Sequence, residues 1–132
     1  MDRELEATVE ALINATKDNQ IKWGLEMIKM DPKKYPDADK VYNCAYNAKN
    51  DIRIFKYSEY VILDSEGHGY QDKVILQMLN ISGDVILDIT EDDLSTPHRL
   101  WTLLKMIERT VNGAKGLLDD IISKYGNKDV IF

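Results

Sequence analysis

The chain has 132 residues, 44% of them hydrophobic and 30% charged, enough for one domain with one sizeable core. No apolar run approaches the roughly 18 residues a membrane-spanning helix needs. The formal charge of −6 opposes binding to phosphate backbones, which needs clustered Lys and Arg. The lone Cys44 has no intramolecular disulfide partner, and the start, MDRELEATVEAL, is charged and helical in pattern rather than secretory. These features predict a cytoplasmic protein, consistent with a reducing compartment.

In chain order, the first element is a helix within 1–19. Asp2 can cap it, and Leu5, Val9, Leu12 and Thr16 share one face that Ile13 widens. In IKWGLEMIKM, Ile21, Trp23, Leu25 and Met27 alternate with Lys22, Gly24 and Glu26, which predicts a half-buried strand. A helix is the alternative, on the spacing of Ile21, Leu25 and Ile28. DPKKYPDADK, with two prolines and dense charge, is a loop. VYNCAYN and DIRIFKY read as strands joined at AKND. EYVILD is a further strand or a continuation past Ser58, and SEGHGYQD reads as a turn or long hairpin loop. VILQML and DVILDI are strands joined by NISG. Connections this short predict an antiparallel β-meander of about five or six strands over 20–90.

A long C-terminal helix over 95–126 closes a single α+β domain, 1–132. Ser95 or Thr96 can cap it, Pro97 suits its first turn and Gly126 its end. Leu100, Leu104, Ile107, Val111, Ala114, Leu118, Ile121 and Tyr125 alternate in spacings of four and three, a heptad seam. An unbroken helix from Pro97 to Tyr125 would be roughly 43 Å long. A globule of this size is about 36 Å across. The seam over Leu100, Leu104, Ile107, Val111, Ala114, Leu118 and Ile121 is therefore expected to serve both the sheet and a second subunit, giving a homo-oligomer. The competing possibility is a break at Asn112-Gly113, a turn dipeptide; Gly113 and Gly116 each cost a helix about 1 kcal/mol relative to alanine.

No residue cluster forms a catalytic or metal signature, and the sequence calls for no cofactor. Glu91-Asp92-Asp93 lacks the spacing of a calcium loop and marks the approach to the last helix. Aromatic side chains on or beside the strands, with one guanidinium among them, suit a planar anionic molecule; strand aromatics are more often packing pairs. The candidate ligand-binding residues are Tyr42, Arg53, Phe55, Tyr57 and Tyr60. His98 and Arg99, with the free N–H groups of the helix start, add an anion-binding possibility.

ALINATKDNQIKW, DIRIFKYSEYVILDSEG and LWTLLKMIERTVNGAKGLLDDII resemble a loose group of small proteins from phages and bacterial mobile elements. The resemblance implies an N-terminal helix, an antiparallel sheet and a long C-terminal helix, and a setting rich in anti-defence proteins that sequester host components. It carries no catalytic residue. The expected function is a non-enzymatic binding module, oligomeric, for a protein or a nucleotide-like small ligand. The alternatives are a small hydrolase or nucleotide-processing enzyme using His68 with Glu66 or Asp64, and a structural subunit of a larger assembly.

Overall fold

In the computed structural model, residues 3–62 and 67–126 are described, and they form an α+β fold. Helix α1 (Arg3–Lys17) leads into strands β1 (Gly24–Glu26), β2 (Val41–Ala45), β3 (Asp51–Ile62), β4 (His68–Leu79) and β5 (Val85–Thr90). Helices α2 (His98–Val111) and α3 (Ala114–Tyr125) follow. The strands lie in chain order, each antiparallel to the next, so the expected meander is present with five strands.

Three segments differ from expectation in length. The alternating pattern from Ile21, read as a half-buried strand, yields only three strand residues, all exposed, while Trp23 just before them enters the core. There its indole N–H donates to Thr16 Oγ1 at 3.0 Å, tying the strand's approach to the end of α1. DIRIFKY and the described part of EYVILD, through Ile62, are one strand, continuous through Ser58. Within SEGHGYQD, read as a turn or a long hairpin loop, His68 to Asp72 are instead strand residues of β4, His68 pairing opposite Ile62.

Alternation along the strands makes two apolar faces. One carries Cys44, Ile52, Ile54, Val74, Leu76 and Ile89 against α1 and α2, which contribute Val9, Leu12, Leu100, Leu103, Leu104 and Ile107. Burial pushes the Cys44 thiol's pKa up, as expected of a strand thiol in an apolar layer. The other face carries Val41, Phe55 and Ile75, and the proline-rich loop covers it with Tyr35 and Ala38. Tyr35 packs edge-on against Phe55 and Tyr57, each at 5.1 Å between ring centroids. The loop is pinned by the Met30 N–H donating to the Ala38 carbonyl and the Ser58 N–H donating to the Pro36 carbonyl.

The expected continuous helix over 95–126 is two helices. Gly113 adopts φ 84°, a left-handed conformation that ends α2 and that glycine enters without a Cβ clash. The Asn112 side-chain oxygen then accepts the Ala114 N–H at 2.9 Å and starts α3. The turn signal at Asn112-Gly113 prevails over the heptad spacing because packing holds only the first half of the seam.

Candidate functional site

The helix-terminal residues show how the chain reaches α3. Glu6 on α1 accepts hydrogen bonds from the Ser95 hydroxyl, the Ser95 N–H and the Thr96 N–H, the last at 3.1 Å. These bonds, the Ser95 hydroxyl's first, hold the Glu6 carboxyl's pKa below the usual range. Arg99 pairs with Glu10 at 3.0 Å. The start of α2 is thereby fastened to one flank of α1, and four of its apolar residues fill the core.

The second half of the C-terminal segment is built differently. The sequence of α3, AKGLLDDIISKY, is amphipathic, yet none of its residues is buried. Leu117 is 62% exposed, Ile122 66% and Tyr125 80%, with Leu118 and Ile121 close to half exposed. Its charged flank is self-contained, since Lys115 pairs with Asp119 and Lys124 with Asp120, each four residues apart.

The seam is consequently divided. Leu100, Leu104 and Ile107 lie in the core, Val111 packs partly buried against it, Ala114 is half-buried, and Leu118 and Ile121 face outward. Leu117 and Ile122 belong to the exposed surface although they stand outside the heptad positions. They flank Leu118, Ile121 and Tyr125 on one side of α3 and widen the exposed half of the seam.

A second apolar feature lies on the flank of α1 away from α2. A groove of about 620 Å³ runs between α1 and one end of the sheet. Thr8, Ala11 and Ala15 form its α1 wall, at spacings that place them on one side of the helix. Ile52 and Met78 belong to its sheet side, and exposed Tyr46 and Ile86 border it. Nothing in the linear sequence joins these positions; the sheet register does.

The predicted aromatic site is distributed over four places. Tyr42 and Tyr57 line a cleft of about 440 Å³ beside α2, together with Trp101, Lys40, Lys56 and Lys105. Asp37, Asp39, Asp72 and Glu108 line it too. The three lysines make no ion pair among the described residues. Burial, with Glu108 nearby, raises the Tyr42 pKa, so its hydroxyl keeps its proton. Burial also raises that of Tyr57, with Glu59 adding to it.

Arg53 and Phe55 stand on the opposite face, and so does the Tyr57 ring, edge-on to Tyr35 there, although Tyr57 also borders the cleft. Phe55 is fully buried beneath Tyr35. The Arg53 Nε donates to Gln77 Oε1 at 2.6 Å, and Gln77 Nε2 donates to Asp88 at 2.9 Å and to the Tyr35 hydroxyl at 3.2 Å. This network across three strands satisfies the buried Gln77 amide and sets the register of the sheet's second face. Tyr60 lies far along the β3–β4 hairpin, edge-on to Tyr70 at 5.5 Å. His98 is exposed in the first turn of α2, and Arg99 is engaged by Glu10.

Glu91, Asp92 and Asp93 form a short 3-10 turn. There the Asp93 carboxylate accepts from both the N–H and the hydroxyl of Thr90, so the acidic run includes a turn-closing device. Glu91 accepts the Trp101 indole N–H and pairs with Lys73. His68 opens β4, while Asp64 and Glu66, its suggested catalytic partners, lie outside the described residues. Among the described residues, no group of three or more His, Cys, Asp or Glu is placed to hold a metal ion. Nor is any helix there long and apolar enough to cross a membrane.

Comparison with protein families, with curated proteins and with solved structures gave no match to this chain.

Proposed function

We propose that this protein is a non-enzymatic binding module that docks other protein surfaces through α3. The observation that carries the reading is the exposed apolar side of α3, formed by Leu117, Leu118, Ile121, Ile122 and Tyr125. A helix with a segregated apolar face gains most of its stability by burying that face. Five large side chains on one such face are a recognition surface of the helix-in-groove kind. A module of this type acts by occupancy, which suits an accessory or sequestering role.

The test is a paired substitution, Leu118→Glu with Ile122→Glu, in the full chain at low concentration. Neither side chain is buried, so the melting temperature should move by no more than about 2 °C. Binding of a fluorescent apolar dye should fall sharply. A drop in melting temperature of about 10 °C would show that α3 belongs to the folded core, and would end the docking reading.

The cleft beside α2 favours a second reading, the binding of a nucleotide-like molecule. Lys40, Lys56 and Lys105 can meet a phosphate, Trp101 and Tyr42 can lie along a base, and Glu108 or Asp72 can accept its N–H groups. The four carboxylates oppose the phosphate, which ranks this reading behind the first. Trp101 fluorescence and melting temperature, followed across a nucleotide and cyclic-nucleotide panel, would test it. A stabilisation of several degrees at saturating ligand is expected of a binder, and a flat response to the whole panel overturns it.

A further inference from the structure

We propose that the surface on which α3 docks is the groove beside α1 on a second copy of this chain, and that the exchange is reciprocal. The inference rests on reading α3 as a docking helix and names its partner. Two apolar surfaces are exposed at once: the α3 side carrying Leu117, Leu118, Ile121, Ile122 and Tyr125, and the groove bordered by Tyr46 and Ile86. Since both are bare in the same chain, neither covers the other within it. A two-fold axis lets each copy cover the other's groove with its α3, closing the assembly at two subunits.

The dimensions and chemistry of the two surfaces agree. The α3 side presents five large side chains, from 46% to 80% exposed. With the groove and its rim at Tyr46 and Ile86 covered on both copies, the reciprocal contact is of the order of a standard stable interface, roughly 1,200–2,000 Å². Thr8, Ala11 and Ala15 make the α1 wall shallow, so another helix can approach closely. Asp51 is the charged residue in the groove lining, and the α3 lysines, Lys115 and Lys124, are paired with Asp119 and Asp120 on their own helix. Because α3 carries two lysines and two aspartates, it adds no net charge to the contact. That matters for self-association of a chain whose overall charge is −6.

The experiment measures mass in solution for the full chain and for two variants. One variant carries Leu118→Glu with Ile122→Glu on α3. The other carries Ala11→Arg with Ile86→Glu in the groove, both exposed positions. At about 100 μM the wild type should have twice the 15.2 kDa monomer mass, and each variant should weaken the dimer at least about tenfold. An equimolar mixture of the variants should recover part of the dimer, because one intact α3 then meets one intact groove. A monomeric wild type overturns the second-copy inference, and retained dye binding on α3 would leave the docking reading standing. A dimer lost in the α3 variant but kept in the groove variant also overturns it, since α3 would then pack elsewhere. So does a dimer that survives both variants, or a mixture that recovers no dimer. Circular dichroism and melting of each variant establish that both remain folded.

Discussion

Helices α2 and α3 carry two halves of one heptad pattern and meet opposite fates. Leu100 and Ile107 in α2 are fully buried, whereas Leu118 and Ile121 in α3, at equivalent spacings, are about half exposed. The apolar spacing does not separate them. What separates them is anchoring. α2 begins beside Glu6 and Glu10, which fix its entry against α1, and its apolar side then meets the sheet. α3 begins at a glycine turn and has its own i,i+4 ion pairs for support. Hydrophobic periodicity therefore says that a face will be buried; the tertiary anchors say by whom.

The largest expected contrast comes from truncating the same residue type in each helix. Leu103→Ala removes a fully buried side chain and should cost about 2–5 kcal/mol, read as a shift in the urea midpoint at unchanged slope. Leu117→Ala, 62% exposed, should stay within about 0.5 kcal/mol when measured on dilute protein. Similar losses for the two would erase the distinction between a core helix and a docking helix. If the proposed dimer forms, concentrated protein offers a sharper form of the same test, because there Leu117→Ala should lower the melting temperature.

The two glycines at the junction should respond with opposite signs. Gly113→Ala places a Cβ at φ 84° and should destabilise by about 1 kcal/mol. Gly116 lies within α3, and a Cβ there meets nothing within 4 Å. Gly116→Ala should therefore raise helix stability by up to about 1 kcal/mol, visible as added helical circular dichroism. If Gly113→Ala instead stabilised the chain, the break between α2 and α3 would be dispensable, and one continuous helix would be the lower-energy form.

Much of the architecture is legible in the linear sequence because it rests on local signals. The period-two runs, the short connections and the early amphipathic face are each visible within a dozen residues. The covering of the sheet's second face was not legible: DPKKYPDADK looks like a solvated loop, and only the register shows Phe55 and Tyr57 waiting for Tyr35. The same applies to Arg53, which looks like a free guanidinium among aromatics until Gln77 is found opposite it across the ladder. The groove beside α1 combines residues from Thr8 to Ile86, a separation that no periodicity spans. Asn112-Gly113 was readable as a turn, and its weight against the heptad became clear once the first half of the seam had been assigned to the core.

The smallest expected effect concerns what holds α2 in place. The Glu6 carboxyl has a lowered pKa in the fold, chiefly through the Ser95 hydroxyl, so the folded state favours its ionised form. A depressed carboxylate stabilises fully above its unfolded pKa, and the contribution is lost as pH falls through the folded value. The acid side of the stability profile should thus fall more steeply in the wild type than in Glu6→Gln, below the ordinary glutamate range. At neutral pH the substitution should cost little, because Gln can still accept one bond from Ser95 or Thr96 at this solvent-accessible position. The exposed ion pairs of α3 should contribute far less to a folding transition that α3 scarcely shares. Hydrogen exchange at low pH would locate the effect: the amides at the start of α2 should lose protection first, with α3 exchanging readily at every pH in dilute protein. If α3 stayed as protected as α2 in dilute protein, anchoring would not be what distinguishes the two helices.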